Sequence, residues 1–210
     1  MEIISHRGYW KVAEEKNTEI AFRRSFSLGY GTETDIRDNN GELVISHDMP
    51  NGSELTFEYF LKIYSEYEID STLALNIKSD GLQFKIKELL DKYRINNYFL
   101  FDMSIPDMFG YLKLGMNTSC RSSEYENANV FRIETKSVWY DGFSSLELMS
   151  ERAKNIFNEF SLICIVSPEL HNRKYKNEWE ELKSLQLDNQ STQLILCTDV
   201  PEEAAEYFYE

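Results

Sequence analysis

Short apolar runs alternate along this chain with longer stretches whose apolar residues recur every three or four positions. The short runs at 2–5, 31–37, 42–46, 71–78, 98–102, 118–121, 162–166 and 193–198 predict strands, and weaker signals lie at 129–134 and 138–141. The amphipathic stretches 17–28, 56–67, 82–93, 105–114, 146–160, 176–185 and 202–209 predict helices. The first helix carries Ile20, Ala21, Phe22, Phe26 and Leu28 as its apolar face, with Asn17 or Thr18 as the cap and Gly29 as the stop. Asn39-Asn40-Gly41 is a hairpin turn signal between two strands. Strand and helix alternate about eight times. That order calls for a parallel sheet with crossover helices, and the count suits a compact TIM-type (β/α)8 barrel. A doubly wound open sheet alternates in the same way, and periodicity does not separate the two. Residues 1–210 read as a single domain with no linker, no low-complexity stretch and no short repeat.

Composition narrows the function more than the fold. Hydrophobic residues make up 42% of the chain, enough for one sizeable core. The net charge of −14 repels nucleic acid and anionic membranes at long range and attracts divalent cations; it also serves plain solubility. Cys120, Cys164 and Cys197 lie far apart, are odd in number and form no CxxC pair, so buried thiols are expected rather than disulfides or a zinc site. The first residues have neither a basic nor an apolar leader character, and no apolar run approaches the roughly 18 residues of a membrane helix, so a cytoplasmic location without membrane insertion is expected. Neither GxGxxG nor GxxxxGK[ST] follows the first strand, which weakens nucleotide-binding readings.

The polar residues gather where barrel enzymes do their chemistry, at the C-terminal ends of strands. The first strand ends in His6-Arg7-Gly8. Glu33 and Asp35 stand two apart on the second strand and so share a face. The hairpin ends in His47-Asp48, and the next strand in Asn76-Ile77-Lys78. Later strands end in Asp102, Arg121, Asp141 and Asp199. Glu33 and Asp35 offer the hard oxygen ligands that Mg²⁺ or Ca²⁺ prefers. His6 and His47 can act as general base and general acid near neutral pH. Arg7 and Lys78 can hold a phosphate and offset its developing charge. The set suits cleavage of a phosphodiester. Arg121 is a second phosphate contact or a rim ion pair, and Trp139 a stacking surface for substrate or a core residue. His171, beside Asn172-Arg173, reads as a loop histidine without a role.

His6-Arg7-Gly8, Asn17-Thr18 with Ala21-Phe22, Glu33-Thr34-Asp35 and His47-Asp48, in this order, resemble the glycerophosphodiester phosphodiesterases. Thr198-Asp199-Val200-Pro201 resembles that family's last strand. The likeness is dense over the first 48 residues and thin beyond them. It implies a TIM-type barrel that hydrolyses a small phosphodiester with one divalent cation, Mg²⁺ or Ca²⁺ with Mn²⁺ as a further option, and with the two histidines as the acid–base pair. It also implies a third metal ligand two residues before the lysine. The family has a glutamate there, and this chain has Asn76, an amide that can bind a hard cation without supplying charge. Asp102 or Asp141 could make up the difference. A second departure is the near absence of the insertion that follows the second strand in the family; only about 25 residues separate His47-Asp48 from the next barrel strand. Three functions are thereby in competition: an active diesterase, a binding or regulatory module on a weakened barrel, and a phospholipase-like enzyme. The acidic surface and lack of an apolar docking loop disfavour the last.

Overall fold

The structure is a computed structural model that describes residues 1–128, 135–188 and 192–209, with the backbone alone described at 186–188. The weak strand signal at 129–134 lies outside the described residues.

The chain forms two compact units, Ile4–Thr118 and Met1–Ile3 with Ser119–Glu210. In the first, parallel strands stand in the order β5-β4-β2-β1, where β1 is Glu2–His6, β2 Gly31–Asn39, β4 Leu73–Ile77 and β5 Tyr98–Phe101. β3 (Glu42–Ile45) pairs antiparallel with the far half of β2, from Ile36↔Ile45 to Asn39↔Glu42. The two residues between the paired ends, Asn40 and Gly41, have φ of 50° and 84°. Two positive φ values in a two-residue loop twist the strands in the favoured sense, which is why Asn-Gly stands there. Helices α1 (Glu19–Ser27), α2 (Phe57–Ser65), α3 (Gln83–Tyr93) and α4 (Ile105–Lys113) follow β1, β3, β4 and β5.

The second unit holds β9-β8-β7-β6 in parallel, where β6 is Ser119–Ser122, β7 Ser137–Tyr140, β8 Leu162–Val166 and β9 Gln193–Thr198. Helices α5 (Glu151–Glu159), α6 (Lys176–Asp188) and α7 (Pro201–Tyr209) follow β7, β8 and β9.

β4 is buried at every position, as are β8 and β9 after their first residue. Such continuous burial marks parallel strands covered on both faces. In the first unit the cover is aromatic: Phe22 meets Phe60 edge-on at 4.7 Å, and Phe26 meets Tyr64 at 5.1 Å. Fully buried side chains of this size each stabilise by about 1.5–3 kcal/mol. In the second unit the wholly buried Trp179 plays that part, with Phe208 and Tyr207 within 5.5 Å and its indole N–H donated to Ser167 Oγ at 2.8 Å.

Two helix starts differ from the sequence reading. α5 begins at Glu151 instead of 146: Glu147 has φ 49°, Tyr140 donates its hydroxyl to Leu146 O, and Ser150 becomes the cap by accepting from Ala153 N at 3.2 Å. At α1, Thr18 occupies the cap position but does not cap, because its hydroxyl donates to Glu15 O at 2.6 Å. The Asn17 side chain is used elsewhere.

Candidate active site

The site lies wholly within the unit Ile4–Thr118. Register assembles it. His6 pairs with Glu33 across β1 and β2, and Asp35 pairs with Asn76 across β2 and β4. Glu33 and Asp35, two apart on one strand, therefore share a face with their strand neighbours. His6 Nε2 is 3.9 Å from Glu33 Oε2. Arg7 Nε is 3.1 Å from Asp35 Oδ2. Lys78 Nζ donates to Asp102 Oδ2 at 2.7 Å and stands 3.6 Å from Asp35 Oδ1.

The turn after β1 is tightly specified. Arg7 takes φ 59° while its N–H bonds Glu33 O and its carbonyl accepts from Asn17 N, both at 2.9 Å. Gly8 follows at φ 78°, and a Cβ there would sit 2.7 Å from Ala21 Cβ, so only glycine lets the turn pack on α1. Asn17 and Asp102 are also left-handed, at φ 59° and 73°. Non-glycine residues in this region cost energy and cluster where geometry is functionally demanded.

Asn17 explains part of that demand. Its amide donates to Asp35 Oδ2 at 2.9 Å and its carbonyl accepts from Thr34 Oγ1 at 2.9 Å. The sequence offered Asn17 as a helix cap; the structure makes it the holder of a buried carboxylate. An asparagine that precedes the cap threonine carries no local sign of this, because Asp35 is 18 residues away.

Glu33 and Asp35 are 2% and 0% exposed, and Asn76 9%. Glu33 Oε2, Asp35 Oδ1 and Asn76 Oδ1 are buried and have no hydrogen-bond partner among the described residues. Leaving buried oxygens unpaired is costly. Burial, and then the Asp35 charge, hold the Glu33 carboxyl well above its ordinary value, against the opposing pull of Arg7, Lys78 and the Asn76 amide. Two carboxylates and one amide, all with spare oxygens on adjacent strands, fit a hard divalent cation. No group of three or more His, Cys, Asp or Glu side chains with metal-holding geometry occurs among the described residues. Of the two acids considered as supplements, Asp102 pairs with Lys78 and Asp141 with His171, both at 2.7 Å.

His47 stands on the loop after β3, which is tied down by Ser46 N to Asp35 O at 3.0 Å and by Arg37 Nε to His47 O at 3.2 Å. Its Nδ1 meets Asp48 Oδ1 at 2.9 Å, and its side chain is 45% exposed. His47 and Arg7 line one open cavity of about 500 Å³, bounded by the 46–55 loop and the start of α1.

In the other unit, Arg121 is engaged by Glu126, and Trp139 is only 8% exposed. His171, read from sequence as a loop residue without a role, has a definite partner: its Nε2 meets Asp141 Oδ1 at 2.7 Å, and its ring lies 4.8 Å from that of Phe143. Among the described residues no helix is long and apolar enough to cross a membrane.

No family model matches the sequence, and no curated protein does either. Solved structures do. A protein from Galdieria sulphuraria assigned to the glycerophosphodiester phosphodiesterases superposes with a TM-score of 0.78 at 15% identity, over 100% of this chain and 98% of that one. An Oleispira antarctica phosphodiesterase in complex with the product sn-glycerol-3-phosphate gives 0.72 at 14% identity, over 100% and 97%. A Ca²⁺-dependent phosphatidylinositol-specific phospholipase C from Streptomyces antibioticus gives 0.57 at 11% identity, over 99% and 95%. The chain has the TIM-type (β/α)8 fold of these enzymes.

Proposed function

We propose that this chain, folded as the glycerophosphodiester phosphodiesterases are, is a phosphoric diester hydrolase. It splits a glycerophosphodiester or related small phosphodiester into an alcohol and a phosphomonoester. The observation that carries this reading is the trio of buried oxygens without hydrogen bonds on Glu33, Asp35 and Asn76, set beside His6, Arg7 and Lys78. The relative with bound sn-glycerol-3-phosphate supports a substrate of this class.

Glu33, Asp35 and Asn76 would hold one divalent cation, which would supply charge to a phosphoryl oxygen. Mg²⁺ and Ca²⁺ both suit an all-oxygen donor set, with Mn²⁺ a third option; the Ca²⁺ dependence of the phospholipase C relative favours testing Ca²⁺ early. Arg7 and Lys78 would orient the phosphate and offset its growing negative charge, each kept in place by Asp35. His6, at the end of β1 and 16% exposed, would take the proton of the attacking hydroxyl. His47, held by Asp48, would return a proton to the departing alkoxide oxygen. Asn76 brings no charge, which also makes a binding module on a weakened barrel a definite alternative.

One experiment separates the two. Purified protein is incubated with glycerophosphoethanolamine and glycerophosphocholine first, then a wider diester panel, with Mg²⁺, Ca²⁺, Mn²⁺ or EDTA, and phosphomonoester release is followed by ³¹P NMR. Release that requires a divalent ion establishes the hydrolase. Silence across the panel, combined with calorimetric binding of a divalent ion, points to the binding module.

A further inference from the structure

Lys78 lies within reach of two carboxylates and hydrogen-bonds one of them. Its Nζ donates to Asp102 Oδ2 at 2.7 Å, while Asp35 Oδ1 stands 3.6 Å away, beyond hydrogen-bonding range. Asp35 Oδ1 is one of the three buried oxygens without a hydrogen bond. It stays open although an ammonium is close by, because that ammonium is spent on Asp102.

The backbone at Asp102 is shaped for this contact. Phe101, the last residue of β5, is the register partner of Asn76, and Asn76 is the partner of Asp35. Unbroken strand alternation would send the side chain after Phe101 to the opposite face of the sheet. Asp102 leaves the strand at φ 73° instead, and its carboxylate comes to Lys78 on the side of Asp35. The left-handed region is costly for most residues and more accessible to aspartate and asparagine. Lys78 is fixed from its own side, because its N–H donates to Ile36 O at 2.9 Å. Both side chains are half-buried, so salt screens the pair less than one on the open surface. Without the Asp102 charge, a shift of about 0.8 Å would bring the ammonium into hydrogen-bonding distance of Asp35 Oδ1. A cation arriving at the trio would then have to displace it.

We propose, on the reading of Glu33, Asp35 and Asn76 as the metal-binding trio, that Asp102 is a positioning residue: it draws the Lys78 ammonium off Asp35 and so keeps Asp35 Oδ1 open to a divalent cation. Asp102 acts through Lys78 and is not itself a ligand.

A double-mutant cycle tests this, read by calorimetric titration of Mg²⁺, Ca²⁺ and Mn²⁺ without substrate. It uses the full-length wild type, Asp102→Asn, Lys78→Met and the double variant. Asp102→Asn keeps a residue that accepts the left-handed backbone and should weaken divalent-ion binding about 10-fold. In the Lys78→Met background the same change should weaken it about twofold or less, because no ammonium remains to fall back on Asp35. Asp102→Gly takes φ 73° without strain and should show the same loss, so it replaces Asp102→Asn if that variant folds poorly. A purely structural role for Asp102 would lower stability in urea and leave the affinity unchanged, and that result overturns the inference. An equal loss in both backgrounds overturns it too, since Asp102 would then act on the ion directly. Absence of divalent-ion binding by the wild type would sink the trio itself, and the inference with it.

Discussion

Two acids whose pKa burial raises behave in opposite ways. Glu169, just after β8, spends its oxygens: Ser167 and Thr198 donate their hydroxyls to it, and Asp199 donates its N–H at 3.2 Å. Glu33, on β2, has one oxygen with no hydrogen-bond partner among the described residues, and so have Asp35 and Asn76 near it. Burial raises the pKa of both glutamates. Glu33 is buried and Glu169 half-buried, and what sets their roles is whether the lone pairs are used. A satisfied buried carboxylate cross-braces the chain, here the β8 and β9 ends. An unsatisfied one is tolerated only where something outside the protein completes it, which is the reason for placing chemistry at β2 and not at β8.

The largest effect should come from the acid–base pair. His6→Ala is expected to lower kcat by roughly 10²- to 10⁴-fold with the folded state retained, and His47→Ala to do the same. Near-normal ³¹P NMR turnover in either would remove that histidine from the mechanism. Asn17→Ala comes next. It strips Asp35 of the Asn17 amide donor without touching the histidines, and should weaken divalent-ion binding about 10- to 100-fold by calorimetry. Equal affinity would mean that Arg7 and Lys78 alone position Asp35.

Glu169→Gln tests the other member of the comparison. It leaves one of three donors facing an N–H₂ group, so stability should fall by about 1–3 kcal/mol in urea titration, while turnover per folded molecule stays the same. Glu33→Gln should have the reverse signature: turnover lost, and the metal-free protein at least as stable as wild type at neutral pH, because folding no longer has to protonate and bury a carboxyl that is ionised in the unfolded chain. If Glu33→Gln destabilised the protein as Glu169→Gln does, the distinction between spent and unspent oxygens would fail.

A pH profile gives the smallest and most specific readout. The unfolded chain releases the Glu33 proton near the ordinary value of 4.5, while the folded chain keeps it to higher pH. Over that window the folded state binds more protons, so this group's contribution to stability is greatest at the acidic end and falls as pH rises through the folded value. Melting of the metal-free protein should show that decline, and Glu33→Gln should lessen it. A divalent ion needs the ionised carboxylate, so adding one should oppose the decline at the alkaline end.

Much of this was written locally in the chain. The continuous apolar runs of β4, β8 and β9 and the Asn40-Gly41 turn rest on short-range sterics and periodicity, so they read directly. The candidate trio read nearly as well. Glu33 and Asp35 share a face by the two-residue period of a strand, and Asn76 sits two before Lys78 on the next barrel strand. The sequence alone thus determined the alternating strand–helix order and which polar residues stand at the strand ends. It did not determine what those residues touch. Asn17 was available as a helix cap until Asp35, on β2, claimed its amide; His171 had no role until Asp141, just after β7, met its ring; Asp102 was one carboxylate among several until Lys78 paired with it. Helix α5 starts late because Tyr140, on β7, binds the carbonyl of Leu146. Each of these outcomes is a competition for one donor or acceptor between near and distant partners. Periodicity and propensity describe only the near ones, so tertiary structure alone decided who won and which oxygens were left over for a ligand.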